Sequence, residues 1–185
     1  MTDRLLVTNL YLEFVGDDTW ADLADLFADE AYASAKGLVR TYVLHQQLLE
    51  HLPGPPAAAL DVGGGAGHQS FPLARAGYEV TLLDSSPAML DKAQERLRQL
   101  PAEVQRQVTF LQADGEYAAE AVNGRRFDAV LCHGVLGYLE DPEPMVNQLC
   151  RCAAPGHSRW RRWPRSSSKP AGEIPTASSV APSTS

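Results

Sequence analysis

Between Ala57 and Cys152 the chain alternates two hydrophobic patterns. Short, largely apolar runs at 57–62, 78–83, 107–112 and 127–132 are too short for ordinary helices and read as buried strands. Between and after them, at 68–76, 87–99, 116–122 and 142–152, apolar residues return at helical spacing. Met89, Leu90, Ala93 and Leu97 are the plainest such stripe. Strands separated by helices predict an α/β fold with a parallel sheet and right-handed crossovers. Upstream, Trp20, Leu23, Leu26 and Phe27 predict a helix within 18–34. Leu38, Tyr42, Leu48, Leu49 and Leu52 predict a second from Lys36, stopped by Pro53-Gly54-Pro55-Pro56. No internal repeat is visible. Three segments follow: a helical segment over 1–52, an α/β domain over 53–156, and a tail over 157–185.

Charge separates the tail from the rest. The whole chain carries a net charge of −7, but residues 1–150 hold 10 Lys/Arg against 22 Asp/Glu, while 151–185 hold six basic residues and only Glu173. The tail is basic and rich in Ser, Thr and Pro, cannot bury enough apolar surface to offset its ordering entropy, and is expected to be disordered. At 185 residues, with 44% hydrophobic and 21% charged content, the remainder suits one globular domain. No window is long and apolar enough to cross a membrane. The apolar patch 5–15 is broken by Asn9 and Glu13 and lacks the basic leader and cleavage site of a signal peptide. Cys132, Cys150 and Cys152 form no CxxC pair, which predicts reduced thiols and a cytoplasmic setting. His45, His51, His68, His133 and His157 show no metal-ligand spacing, so no metal is expected.

The candidate chemistry lies where the first strand ends. Asp61-Val62-Gly63-Gly64-Gly65-Ala66-Gly67 places an acid and a glycine-rich turn between a strand and a helix, where a parallel sheet receives a nucleotide. Missing Cβ atoms let the backbone approach a ligand closely. A dinucleotide fingerprint begun at Gly63 and Gly65 would need a third glycine where His68 stands. A carboxylate at Asp61 would repel a pyrophosphate and suits a cationic ligand carrying an ammonium group. Nineteen residues beyond Gly65, Asp84 closes the second apolar run, where an acid can accept hydrogen bonds from both ribose hydroxyls. Ser85, Ser86 and Pro87 then have the character of a helix start.

Together, Leu60-Asp61-Val62-Gly63-Gly64-Gly65-Ala66-Gly67 and Leu83-Asp84-Ser85-Ser86-Pro87-Ala88-Met89-Leu90 resemble the first two motifs of class I S-adenosylmethionine-dependent methyltransferases, over roughly residues 36–156. The resemblance implies a Rossmann-like sheet, S-adenosyl-L-methionine as cofactor, and cofactor contacts from Asp61, Gly63, Gly64, Gly65, Gly67 and Asp84. It implies that Asp114, after the third strand, receives the adenine amino group, while the backbone N–H of Gly115 or Glu116 faces a ring nitrogen. Asp114 can equally cap the next helix. His133, after the fourth strand, is implied to border the methyl group as the catalytic candidate; packing on the cofactor is the competing role.

Lys36-Gly37-Leu38-Val39-Arg40, with His133 after strand four, further resembles bacterial tRNA carboxymethoxyuridine methyltransferases. That subgroup implies that Arg40 pairs with the cofactor carboxylate, although an exposed helix arginine would be unremarkable. The acceptor is then tRNA or a small molecule. The acidic body offers no basic face for tRNA phosphates; Arg159, Arg161 and Arg162 with Trp160 and Trp163 are the only aromatic-basic cluster.

One departure stands out. In the family an Ala-x-Pro-Gly turn leads into an apolar fifth strand, whereas Ala154-Pro155-Gly156 is followed by His157-Ser158-Arg159-Trp160-Arg161-Arg162. Strands five to seven are therefore expected to be missing, as in a truncated or frame-shifted methyltransferase. Strand four would become an open edge prone to self-association. A catalytically silent cofactor-binding module is the alternative function. A nicotinamide-dependent oxidoreductase is disfavoured by His68 and Asp61.

Overall fold

The computed structural model describes residues 34–155, so the helix expected within 18–34 and the tail over 157–185 lie outside the described residues. Helix α1 (Ala35–Leu49) begins at Ser34, whose hydroxyl accepts from the Gly37 N–H at 3.1 Å as an N-cap. The α/β unit then runs β1 (Ala58–Val62), α2 (Ser70–Arg75), β2 (Glu79–Asp84), α3 (Pro87–Arg98), α4 (Ala102–Gln105), β3 (Val108–Gln112), α5 (Ala118–Ala121), β4 (Ala129–Leu131) and α6 (Glu143–Cys152). Short 3₁₀ turns at Gly115–Tyr117 and Leu136–Tyr138 precede α5 and α6.

All four strands pair in parallel, in the order β3-β2-β1-β4. The chain moves outward from β1 through β2 to β3, then returns to place β4 on the other side of β1. That reversal is a topological switch point, where the connections leaving β1 and β4 diverge and open a crevice at the carboxyl ends of the strands.

Strand alternation assigns the two faces. Ala59, Val80, Leu82 and Leu131 pack with Phe71, Leu73, Leu90, Ala93 and Leu97 on one side. Leu60, Val62 and Leu83 pack with Ala118, Ala119, Val122, Met145 and Leu149 on the other. Burying both faces of β1 and β2 explains why these central strands read as largely apolar runs rather than as alternating ones. Asp61 falls on the α2 face with Ala59, as Asp84 at the tip of β2 does with Val80 and Leu82.

The expected elements are found with local differences. The helix expected over 116–122 is a 3₁₀ turn followed by one α-turn, because Asp114 caps the former through the Glu116 N–H at 2.9 Å. Helix α4 was not foreseen; its four residues carry no apolar stripe beyond Val104. Strand four is shorter than 127–132, and its edge is not wholly open. The Phe127 N–H donates to Cys152 O at 2.8 Å, and the Ala154 N–H donates to Phe127 O at 2.9 Å, forming a single parallel bridge between Phe127 and Ala153. The chain leaving α6 thus begins to run beside β4 before residue 156. Past that bridge, β4 has no outer strand partner among the described residues.

Candidate functional site

At the switch point lies a cavity of about 610 Å³, the size of a cofactor pocket. Its wall draws on every carboxyl-end loop of the sheet and on α1. Arg40, Asp61, Gly63, Gly64, Gly65, Asp84, Asp114, Gly115 and His133, nine positions singled out from the sequence, line it together. Gly67 and Glu116 do not.

The turn after β1 is built from backbone bonds onto β2. The Gly63 and Gly64 N–H groups donate to Leu83 O at 2.8 and 3.2 Å, and the Gly65 N–H donates to Asp84 Oδ2 at 2.8 Å. Gly63 and Gly65 hold φ of 69° and 52°, a left-handed turn that side chains resist. The glycines serve different ends. A Cβ at Gly63 would overlap Val135, one at Gly64 would lie 2.7 Å from Leu82 Cγ, and one at Gly67 would enter the Phe71 ring. Those three are required by the protein's own packing. At Gly65 no atom lies within 4 Å of the Cβ position, so there the missing side chain leaves cavity space.

Asp84 is buried at the tip of β2. Oδ2 accepts from Gly65 and Oδ1 accepts from the Ser86 N–H at 2.9 Å. Burial raises its pKa, and the two backbone bonds oppose the shift. Ser86 in turn caps α3, accepting from the Met89 N–H at 3.3 Å, with Pro87 opening the helix as expected.

Asp61 lies deeper, 2% exposed. Its Oδ2 accepts from the Ser70 hydroxyl at 2.7 Å, at the first residue of α2. Burial raises the Asp61 pKa; Ser70 and then His133 oppose the shift, while Asp84 adds to it. His133 is shifted the other way, downward by burial, with Asp61 opposing. The His133 Nδ1 is buried with no hydrogen-bond partner among the described residues. Cys132, beside it in sequence, has its thiol pushed up to about 11 by burial, with Asp61 adding. It is an inert thiol rather than a nucleophile.

Asp114 performs the capping role that the sequence left open, yet it also borders the cavity. The cap engages the Glu116 N–H, and of that pair Gly115 lines the cavity. Gly115 itself is pinned: a Cβ there would overlap the end of Met145 and approach Val62 Cγ1 to 2.8 Å.

Several neighbours escaped the sequence reading. Gln69, buried behind the glycine turn, donates from Nε2 to Thr41 O at 3.1 Å and ties α1 to the loop. Arg96 of α3 donates to Ala66 O, approaches the His68 ring nitrogens at 3.1 and 3.3 Å, and lies over the Phe71 ring. Both clamp the loop from outside it, and contacts across 28 and 30 residues leave no local spacing signal. Tyr138, Leu139 and Met145 line the side of the cavity nearest His133. Among the described residues no group of three His, Cys, Asp or Glu is placed to hold a metal, and no helix is long and apolar enough to cross a membrane.

Comparison with known proteins agrees with this arrangement. A family profile described as a methyltransferase domain matches residues 60–156, more than half the chain, and the chain belongs to that family. It is 28% identical over 143 residues to the tRNA 5-carboxymethoxyuridine methyltransferase of Escherichia coli, covering 76% of this chain and 54% of the relative. It is 40% identical over 97 residues to the ubiquinone biosynthesis O-methyltransferase of Alkalilimnicola ehrlichii, covering 52% of this chain and 37% of the relative. Its fold is similar to that of the magnesium protoporphyrin IX methyltransferase of Synechocystis, solved with bound S-adenosylmethionine, at a TM-score of 0.54 and 28% identity over 62% of this chain and 50% of that one. The chain therefore spans about half the length, or less, of the relatives it matches.

Proposed function

We propose that the cavity binds S-adenosyl-L-methionine and that the protein transfers its methyl group to an acceptor, either tRNA or a small molecule. The observation that carries this reading is the hydrogen bond from Gly65 to Asp84, which joins the glycine turn and the second acid into one wall at the β1–β4 switch point.

The residues present suit such a ligand. Each Asp84 oxygen accepts one backbone bond and retains a lone pair for a ribose hydroxyl. The open Cβ side of Gly65 admits close backbone approach. Asp61 supplies negative charge for an ammonium group, Arg40 a partner for a carboxylate, and Asp114 with the Gly115 amide a polar edge for adenine. Gly63 and Gly64 line the cavity beside Gly65, and Gly67 shapes the turn behind it.

When bound, the cofactor supplies an electrophilic methyl group on a sulfonium. The chain's own contribution is alignment of the acceptor with that group by a preformed cavity. His133 lines the cavity, and burial favours its neutral form, which suits it to accept a proton from a hydroxyl or amine acceptor. A carboxylate acceptor is already ionised at neutral pH and needs no base. The likeness to a tRNA methyltransferase over 76% of the chain favours a nucleic-acid acceptor, and the likeness to an O-methyltransferase favours a small molecule. We also infer a cytoplasmic setting, from unpaired cysteines, and self-association along the outer edge of β4.

The test is transfer of labelled methyl from S-adenosylmethionine to fractionated cell extract, separated into tRNA and small-molecule pools. Label in either pool that disappears with Asp84→Ala supports the reading. Binding without label in any pool would assign the chain to the silent-module alternative.

A further inference from the structure

Asp61 and His133 present a second problem that binding alone does not settle. Both line one cavity, and both are largely withdrawn from water. Asp84, another buried carboxylate, faces the same space from β2. Among the described residues no ion pair reaches Asp61 or Asp84; the ion pairs found there join Arg125 to Glu79 and Arg151 to Glu120, on the surface. Asp61 has only the Ser70 hydroxyl, and the His133 Nδ1 has no partner. The other charged or titratable groups around this space are Arg40 from α1, His68 from the glycine turn, Asp114 beyond β3, Tyr138 before α6, and the Cys132 thiol. A buried carboxylate without a cation is unfavourable, and the cheapest neutraliser is a proton.

Resting on the reading of the cavity as a cofactor site, we infer that one proton is held on Asp61 or His133, which line one cavity, in the ligand-free chain. A cationic ligand seated over Asp61 expels that proton to solvent. The proton leaves as the ligand's positive charge takes its place beside the carboxylate, so charge balances within the cavity. Loss of the proton also leaves His133 neutral. Cofactor entry thus prepares the base in the same step, and a ligand without a cationic group would not do so.

Burial acts on the two groups in opposite senses, raising the carboxyl and lowering the imidazole, so each resists its charged form. Ser70 enters as a positioning residue. Its hydroxyl stabilises the charged form of Asp61, so losing it should make the proton harder to expel.

The experiment is calorimetric titration of the full 185-residue chain with S-adenosylmethionine, in buffers of differing ionisation enthalpy, from about pH 5 to about pH 8. The expected result is net proton release on the acid side of neutrality, fading above it. Apparent affinity should weaken up to about tenfold for each pH unit below the titration of the pair. Asp61→Asn should abolish the release and flatten the profile, and Ser70→Ala should move the profile to higher pH while leaving its shape intact. Should Asp61→Asn fail to fold, the parent and Ser70→Ala profiles still decide the matter. Buffer-independent heats with a flat affinity profile in the parent chain would overturn the inference, as would full release retained in Asp61→Asn. Absence of binding heat at every pH would instead count against the cofactor reading itself.

Discussion

The Gly65 amide donates to Asp84 Oδ2 at 2.8 Å across nineteen residues of sequence. The bond binds the turn after β1 to the tip of β2, and Asp84 Oδ1 continues outward to the Ser86 amide that opens α3. One carboxylate therefore fixes the turn, starts a helix and faces the cavity. A ligand engaging it meets an acceptor whose orientation is already set, which lowers the ordering cost of binding.

Removing that carboxylate should weaken ligand binding first. Asp84→Ala takes away charge-assisted hydrogen bonds of about 1.5–3 kcal/mol each. The dissociation constant for S-adenosylhomocysteine, measured by calorimetry, is expected to rise at least tenfold. An unchanged constant in a folded variant would show that Asp84 organises the turn and does not touch the ligand.

The two kinds of glycine in the turn should separate by experiment. Gly65→Val puts a side chain into cavity space, with local strain of about 1–3 kcal/mol from the left-handed φ, and should abolish binding while leaving the circular dichroism spectrum largely native. Gly67→Ala pushes a methyl into the Phe71 ring in the core and should lower the melting temperature, by about 1–3 kcal/mol of stability. Loss of binding with no change in melting for Gly67→Ala would reverse the assignment.

Asp61 should cost the ligand-free chain stability. Its raised pKa means that the folded chain keeps a proton which the unfolded chain releases near the ordinary carboxylate value of 3.8. From that value up to the folded pKa, stability from this group falls as pH rises, and above it the penalty stays in place. Asp61→Asn should therefore melt higher than the parent at neutral pH, with the gain vanishing below about pH 4. Thermal melts across pH test this, and a variant less stable than the parent at neutral pH would contradict it.

The sheet edge gives a separate prediction. Phe127 directs its N–H outward to Cys152 O, and the Asp128 N–H points inward to Ala58 O, so the Ala129 N–H faces outward again. Past the Phe127–Ala153 bridge that edge lacks a strand partner among the described residues and should pair with a second copy. Sedimentation is expected to show concentration-dependent association, reduced by Ala129→Pro, which removes an outward donor and spares the ladder to β1. A parent chain that remains monomeric at high concentration would refute this.

What the sequence disclosed depended on how local the signal was. Strands β1 and β2 were legible because both faces are buried, and Ala59, Leu60, Leu82 and Leu83 report that directly as apolar runs, while β3, with no fully buried residue, was legible from Val108, Phe110 and Leu111. The glycine turn and Asp84 were legible because strand tips at a switch point fall at regular spacing from their strands. Asp61 was visible, but its tie to Ser70 was not, since a serine nine residues on has no pattern to mark it. Arg96 and Gln69 clamp the turn only once α3 and α1 have packed, and Val104 alone could not announce α4. The packing demands on the separate glycines were not legible, because which Cβ position meets protein and which meets open space depends on Val135, Leu82 and Phe71 arriving from elsewhere.

The central claim is that this cavity recognises an adenosyl ligand with a cationic amino-acid end rather than a dinucleotide. Calorimetric titration of the 185-residue chain with S-adenosylhomocysteine, with NAD in a parallel titration, tests it most directly. Saturable binding of S-adenosylhomocysteine that is lost in Gly65→Val is expected, with no heat from NAD, whose pyrophosphate would face Asp61. Binding of NAD, or failure of S-adenosylhomocysteine to bind a folded chain, would contradict it.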